Sequence, residues 1–136
     1  GGTILKLLDQ VAYACASRYS GSYVVTLSVD KVNFKEPIHV GELVTFLASV
    51  NHVGRTSMEI GIRVEAQNIQ KRTVRHTNSC YFTMVAVDEQ GKPKHIPGLN
   101  LDNDWKRCRF EAAEHRKIAR LSENHHPSCS IYKKSV

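Results

Sequence analysis

Asp9 is the side chain of this sequence whose position most clearly suggests chemistry. It lies in the apolar segment TILKLLDQVAYACASR, residues 3–18, where Lys6 and Gln10 are its polar neighbours. A lone carboxylate on a mostly buried helix is costly unless it is paired or functional. Asp9 is therefore a candidate general base or nucleophile. The alternative is that it faces solvent or pairs with a buried arginine.

Two glycines, Gly1 and Gly2, come immediately before this segment. Glycine lets a ligand approach the unpaired backbone N–H groups and the positive end of the helix dipole. Those donors could hold an oxyanion while Asp9 attacks it or activates a water. At about 1.5 Å per residue, two turns of helix separate Gly2 from Asp9, and a carbonyl group plus a water spans only part of that distance.

The hydrophobic pattern predicts the elements that must position these residues. Apolar residues cover nearly the whole circumference of the predicted helix 3–18, so we expect a sheet to bury it on most sides. Strands are predicted where β-branched residues cluster or where apolar and polar residues alternate, over 23–34, 43–53, 58–69 and 74–88. A second helix is predicted over 102–122, with Asp102 or Asn103 as its cap.

This order of elements predicts an α+β fold, in which an antiparallel sheet wraps around the first helix and the second helix lies on the surface. We divide the chain into a domain over residues 1–98 and a C-terminal part over 99–136. That C-terminal part comprises a connector, the second helix and a frayed tail. One face and the edges of the sheet stay uncovered, so we expect at least a dimer.

Composition and charge exclude several classes of protein. The chain has 136 residues, of which 41% are hydrophobic and 24% charged, as in a single soluble domain. It contains no run of about 18 uncharged apolar residues, so we predict no membrane span. The net charge of +6 is spread evenly. An even spread argues against a nucleic-acid-binding arm and suits a smaller anion, such as a nucleotide or a phosphorylated cofactor.

The cysteines and histidines indicate neither a disulfide framework nor a metal site. Four scattered cysteines without a CxxC pair predict reduced thiols in a cytoplasmic protein. His125, His126 and Cys129 have a loose metal-ligand spacing, but they lie in a polar tail without a second pair of ligands. We therefore predict that the chain holds no metal.

Several separated segments together carry a family resemblance. The segments GGTILKLLDQVAYACASR, VTLSVDKVNF and RTSMEIGIRVEA resemble the hotdog-fold acyl-CoA thioesterases of the YciA-like and cytosolic acyl-CoA hydrolase type, over about residues 1–98. The resemblance implies a hotdog fold and hydrolysis of a fatty acyl-CoA to a free fatty acid and coenzyme A. No cofactor is implied, because coenzyme A is part of the substrate. Self-association as a dimer and a hexamer built as a trimer of dimers are also implied.

The same resemblance implies roles for two residues near the start of the chain. Asp9 matches the general base or nucleophile of the family. The backbone N–H of Gly2 matches the group that polarises the thioester carbonyl. The asparagine that the family usually pairs with the aspartate belongs upstream of the Gly-Gly pair, before residue 1, and comes from another part of the dimer.

A loop at Gly54–Ser57 resembles the segment that borders the coenzyme A channel in this family. Arg55 could meet a phosphate, and Thr56 or Ser57 could hydrogen-bond the ligand. The alternative is a hairpin turn with a solvated Arg55. A second basic cluster is predicted to be a solvated strand end, and it contains Lys71, Arg72 and Arg75.

Three other functions compete with the thioesterase hypothesis. A non-catalytic hotdog module that binds acyl-CoA or a nucleotide would keep Arg55 but tolerate the loss of Asp9. A hotdog dehydratase or hydratase would need a catalytic histidine, which the first helix lacks. Nucleic-acid binding rests only on the basic isoelectric point of about 9.3, and the even spread of charge argues against it. We predict no nucleic-acid or membrane partner.

Overall fold

A computed structural model describes residues 2–30 and 36–124, without the side chains of residues 2, 3, 123 and 124. Backbone contacts divide the chain into two compact units, Gly1–Asn100 and Leu101–Val136. Within the described ranges, the first unit contains one helix and four strands and the second unit contains one helix. The predicted strand residues 31–34 and the predicted tail beyond residue 124 lie outside the described residues.

The first helix, α1, spans Gly2–Ser20 and so includes the whole predicted segment. It packs on the sheet through one stripe of fully buried side chains, Leu8, Ala12 and Ala16. Gly21 ends the helix with a φ of 64°, and its N–H donates to the carbonyl of Ser17 at 2.8 Å. Glycine adopts this left-handed conformation without a steric penalty, which explains the sharp stop.

The prediction that α1 is buried on most sides is wrong for the single chain. Leu5 and Tyr13 are each 46% exposed and Leu7 is 39% exposed, and the side chain of Asp9 is exposed as well. The sheet meets only one face of the helix, so the apolar residues on the other faces have no cover within the chain. A pattern of apolar residues around a helix does not show which molecule covers them.

The four predicted strands are confirmed as one antiparallel sheet in the order β1-β4-β3-β2. They are β1 (Tyr23–Asp30), β2 (Leu43–Val53), β3 (Ser57–Asn68) and β4 (Thr73–Val87). Alternate residues of the two central strands, β3 and β4, form most of the core beneath α1, including Met58, Ile60, Ile62, Phe82 and Met84. The predicted α+β architecture, a sheet packed against the N-terminal helix, is therefore confirmed.

The second helix, α2, spans Asp104–Asn124. Of the two predicted caps, Asn103 fills the role, because its Oδ1 accepts a hydrogen bond from the N–H of Lys106 at 2.9 Å. The guanidinium of Arg109 lies 4.0 Å from the centre of the Trp105 ring, and this ring is 63% exposed. Neither helix has the length and apolar content, over the residues that the structure describes, to cross a membrane.

An ion-pair network holds residues 36–42, which precede β2, against the start of β4. The guanidinium of Arg75 donates to both carboxylate oxygens of Glu42, at 2.7 and 2.9 Å. It also donates to Glu36 at 2.6 Å and to the carbonyl of Pro37 at 3.1 Å. Glu42, whose side chain is 7% exposed, accepts a further hydrogen bond from the N–H of His39. The prediction that Arg75 is a solvated strand-end residue is therefore wrong.

This network predicts a pH dependence of stability that the variant Glu42→Gln removes. The hydrogen bonds from Arg75 and from the N–H of His39 hold the pKa of Glu42 below its ordinary value of 4.5. A carboxyl group with a lowered folded-state pKa stabilises the fold above its unfolded-state pKa, and this contribution is lost as the pH falls through the folded-state pKa. We expect the Tm of the wild type to fall toward that of Glu42→Gln below about pH 4.5. A constant difference in Tm between the wild type and Glu42→Gln across the acid range would contradict this role of Glu42.

On the sheet face opposite α1, Gly61 makes room for a buried amide. A Cβ atom at Gly61 would stand 2.3 Å from Nδ2 of Asn51, which lies at a bulge in β2. This Nδ2 donates to Glu59 at 3.4 Å, and Oδ1 of Asn51 accepts from Ser49 at 2.8 Å. Asn51 and Glu59 are only 5% and 6% exposed, so these hydrogen bonds satisfy groups that would otherwise be costly to bury.

We expect Gly61→Ala to destabilise the fold by about 1–3 kcal/mol, because the added methyl displaces Asn51 from its buried hydrogen bonds. Gly98→Ala is the matched control, since a Cβ there meets no atom within 4 Å. Denaturant unfolding of both variants measures the difference. Equal stabilities for the two variants would show that Asn51 moves aside without cost.

Candidate active site

Asp9 lies on the flank of α1 that faces the edge strand β1. The Thr26 hydroxyl on β1 donates to Oδ1 of Asp9 at 3.0 Å, and the Oγ1 atom also lies 3.4 Å from the sulfur of Met84. Sequence reasoning missed Thr26, which is 17 positions from Asp9 and has no local pattern that singles it out. Only the packing of α1 on the sheet brings the two side chains together.

The hydrogen bond from Thr26 gives the Asp9 carboxylate a fixed orientation. It engages Oδ1, while the described part of the chain provides no donor to Oδ2. A carboxylate oxygen that points to solvent can accept a proton from water or attack an electrophile. The arrangement therefore fits either predicted role, general base or nucleophile.

The structure does not bring Gly2 close to Asp9 within one chain. The helix begins at Gly2, so the N–H groups of its first turn lack partners inside the helix. Asp9 lies seven positions after Gly2, which is about 10 Å along the axis. A reacting carbonyl would have to lie about 3 Å from both groups. One chain alone therefore cannot present both of them to the same carbonyl.

The edge strand next to Asp9 is apolar and uncovered. Four large side chains of β1 are roughly half exposed or more, Tyr23 at 66%, Val25 at 51%, Leu27 at 68% and Val29 at 47%. In the sheet formed by the described residues, β1 pairs with β4 on one side only. An unpaired strand with exposed apolar side chains can pair with another chain. Asp9 therefore lies next to a surface suited to a second subunit.

The predicted loop residues Arg55, Thr56 and Ser57 lead into β3, which is separated from β1 by β4 in the sheet. The N–H of Ala86 donates to the carbonyl of Thr56 at 2.9 Å, so the end of β4 fixes the loop backbone. The Arg55 side chain is exposed, whereas Thr56 and Ser57 are partly buried. Within the described residues, no hydrogen bond joins any of these three residues to Asp9, whose side-chain partner is Thr26.

Open grooves run along both flanks of α1. The groove on the β1 side has a volume of about 540 Å³, and its lining includes Tyr13 and Ser17, which follow Asp9 at one-turn intervals. The groove on the β2 side, of about 660 Å³, is lined by Cys15, Arg18 and residues of β2. Asp9 lines neither groove, but the helical spacing of Tyr13 and Ser17 places the β1-side groove on the same flank of α1 as Asp9.

The cysteines of the first unit are not activated nucleophiles. Burial raises the pKa of the Cys15 thiol, and it raises the pKa of Cys80 to about 11. A thiol of this kind stays protonated near neutral pH and is a poor nucleophile. No group of three His, Cys, Asp or Glu side chains within residues 2–30 and 36–124 could hold a metal ion. The predicted weak candidates His125, His126 and Cys129 lie outside the described residues.

Comparison with known proteins decides the family. Residues 1–73 match the family model of the thioesterase superfamily. Protein VdlD of Helicobacter pylori is 54% identical over 120 residues, which cover 88% of this chain and 68% of that protein. The chain belongs to the thioesterase superfamily. The resemblance found in the sequence is thus confirmed, and the fold described above is the hotdog fold.

Two solved thioesterase structures match this chain over nearly its whole length. A hexameric acyl-CoA thioesterase without ligand is 36% identical, with a TM-score of 0.88, over 93% of this chain and 81% of its own. The acyl-CoA hydrolase of Staphylococcus aureus, solved with butyryl coenzyme A and coenzyme A, is 29% identical, with a TM-score of 0.85, over 100% of this chain and 83% of its own. This chain therefore shares its fold with a hexameric acyl-CoA thioesterase and with an acyl-CoA hydrolase solved with coenzyme A.

Variants of the Staphylococcus aureus hydrolase bear on the pair Asp9 and Thr26. Separate structures of that enzyme carry alanine in place of one aspartate and in place of one threonine. Those two positions are 17 apart in that enzyme, the same separation as between Asp9 and Thr26. An aspartate and a threonine at this spacing are thus common to both chains.

Proposed function

We propose that this chain hydrolyses fatty acyl-CoA thioesters to free fatty acid and coenzyme A, and that the Asp9 carboxylate acts at the thioester carbonyl. The observation that carries the proposal is the position of Asp9. Thr26 orients it on the flank of α1 that faces an uncovered edge strand, in a chain of the thioesterase superfamily. The butyryl coenzyme A bound to the Staphylococcus aureus relative supports the class of substrate.

The chemistry needs one group that delivers the nucleophile and one that stabilises the oxyanion. As a base, Asp9 removes a proton from the water that attacks the carbonyl carbon; as a nucleophile, it attacks that carbon itself and forms an anhydride that water then hydrolyses. The carbon–sulfur bond breaks and coenzyme A leaves as a thiolate. A thiol with a pKa of about 8.5 leaves without a strong general acid.

The oxyanion donor in this proposal comes from a second copy of the chain. Because Gly2 and Asp9 are about 10 Å apart within one chain, the backbone N–H of the partner subunit's Gly2 faces the Asp9 site across the interface. Pairing of two β1 edges would place the second chain beside Asp9, and it would help to cover Tyr23, Val25 and Leu27, which alternate with Val24 and Thr26 and therefore lie on the sheet face away from α1. The hexameric relative supports assembly of such dimers into a trimer of dimers.

The remaining sequence predictions extend this proposal. Residues 1–98 form the hotdog thioesterase domain, and residues 99–136 form a connector, a helix and a tail. Arg55, Thr56 and Ser57 border the path of coenzyme A. The protein acts in the cytoplasm without a cofactor. A non-catalytic module that binds acyl-CoA or a nucleotide is the competing function, and the experiment on Asp9 separates the two.

Replacement of Asp9 tests its role directly. We expect Asp9→Asn to lower kcat for release of free thiol from acyl-CoA esters by about 10²–10⁴-fold, because a general base contributes an effect of that size. The Kd for coenzyme A should stay unchanged. Assays on the full-length protein with esters of several chain lengths measure both quantities. A wild type that binds coenzyme A but releases thiol from no ester would identify the non-catalytic module.

Thr26 should act as a positioning residue for Asp9. We expect Thr26→Val, which removes the hydroxyl but keeps the shape, to lower kcat by about tenfold with little change in KM. Thr26→Ser keeps the donor and should restore most of kcat. If Thr26→Val and Thr26→Ser lose the same activity, the hydrogen bond to Asp9 is not what matters.

The proposed interface predicts that a charge on β1 breaks both the assembly and the activity. We expect Leu27→Lys to shift the protein toward the monomer in light scattering and to lower kcat in parallel, because the site needs two copies. Val74→Lys is the control, since Val74 is 57% exposed but lies at the start of β4. A fully active Leu27→Lys monomer would rule out the shared site.

A further inference from the structure

Two basic side chains from different elements converge at the loop that precedes β3. Nη2 of Arg55 lies 3.5 Å from Nε2 of His95, and both side chains are exposed. The backbone beneath them is joined, because the N–H of Ile96 donates to the carbonyl of Arg55 at 3.1 Å. The two residues are 40 positions apart in the chain, so no local sequence pattern connects them.

His95 is carried by a segment that the fold holds at several points. The N–H of Lys94 donates to the carbonyl of Ala86 at 2.8 Å, which attaches the segment to the end of β4. Beyond His95, the Tyr19 hydroxyl lies 2.8 Å from the carbonyl oxygen of Pro97 and 2.9 Å from that of Gly98. The place of His95 beside Arg55 is therefore set by the end of β4 and by the end of α1.

The pair has the chemistry of an anion site. Arginine offers donors only, and a histidine nitrogen can be either a donor or an acceptor. The described residues provide no carboxylate partner for Arg55 or for His95. The positive charge of the Arg55 guanidinium therefore lies beside the His95 imidazole without a negative group to balance it. A phosphate oxygen between them would accept hydrogen bonds from both, and such charge-assisted hydrogen bonds are stronger than the contact that they replace.

We propose that Arg55 and His95 together bind a phosphate group of the coenzyme A part of the substrate, so that His95 is a binding residue of this thioesterase. The proposal rests on the proposed function. Tyr19, which holds the segment of His95, lies about 15 Å along the α1 axis from Asp9. The subsite is therefore remote from the Asp9 carboxylate in the chain that carries both. That separation suits the phosphate end of an elongated substrate and not its carbonyl.

Steady-state kinetics of His95→Ala test the subsite with substrates that differ only in their phosphates. For an acyl-CoA we expect KM to rise about 5- to 10-fold and kcat to stay constant, because the lost hydrogen bond goes to a charged group at an exposed site. The corresponding acyl-pantetheine, which has no nucleotide, should show no change. The acyl-dephospho-CoA identifies which phosphate is bound. If His95→Ala no longer raises KM for this substrate, His95 contacts the 3′-phosphate; if KM still rises, His95 contacts the diphosphate.

Two further variants make the result specific. His95→Asp should raise KM for the acyl-CoA more than His95→Ala does, because it adds a negative charge next to the ligand phosphate. His39→Ala is the matched control, since His39 is an exposed histidine near the Arg75 network at the opposite end of β4. An unchanged KM for His95→Ala, or an equal rise with the acyl-pantetheine, would overturn the proposal.

Calorimetry of coenzyme A binding separates this proposal from the proposed function. If the wild type binds coenzyme A but hydrolyses no ester, the proposed function fails, and the ratio of Kd values between His95→Ala and the wild type still tests the subsite. If the wild type hydrolyses esters and His95→Ala binds coenzyme A as tightly as the wild type does, only the subsite fails.

Discussion

The narrow contact between α1 and the sheet is the constraint on which the site depends. Leu8, Ala12 and Ala16 form one stripe, and the two alanines let the helix lie close to the strands. Successive residues of a helix are rotated by about 100°, so burial of Leu8 turns Asp9 toward the flank beside β1. The hydrogen bond from Thr26 then fixes the carboxylate at this flank.

The same contact explains why the site of one chain is incomplete. A helix that packs on a sheet through one stripe leaves its flanks and its first turn exposed, and the edge strand beside Asp9 is apolar and uncovered. The length of helix between Gly2 and Asp9 keeps the oxyanion donor and the carboxylate apart within the chain. Two copies that pair at β1 would supply both groups to each site, so catalysis and assembly depend on one surface.

Much of the fold could be predicted because its signals are local. The strands β2, β3 and β4 begin and end within one residue of their predicted ends, since alternation and flanking turns mark them in the sequence. Asp9 could be singled out for a similar reason, as a charge within an apolar helix. The family resemblance then supplied roles for Asp9 and Gly2 that the residues alone left open.

The interactions that could not be predicted are those between distant segments. The order of the strands and the path of the connecting segments bring Thr26 to Asp9, Glu42 to Arg75 and His95 to Arg55. Composition and periodicity encode neither the strand order nor these paths. The prediction that α1 is buried on most sides was wrong because the sequence shows that a surface is apolar but not whether the same chain covers it. These residues carry the proposals on positioning, stability and phosphate binding.

A complementation assay tests the central claim, that each site combines Asp9 of one subunit with Gly2 of the other. Gly2→Pro removes the N–H donor at a helix position that accepts proline, and Asp9→Asn removes the carboxylate. Each variant alone should be inactive. Mixed dimers would hold one intact site, so co-expression of the two variants should restore about a quarter of the wild-type rate of thiol release. Mixed dimers that form but stay inactive would contradict the shared site.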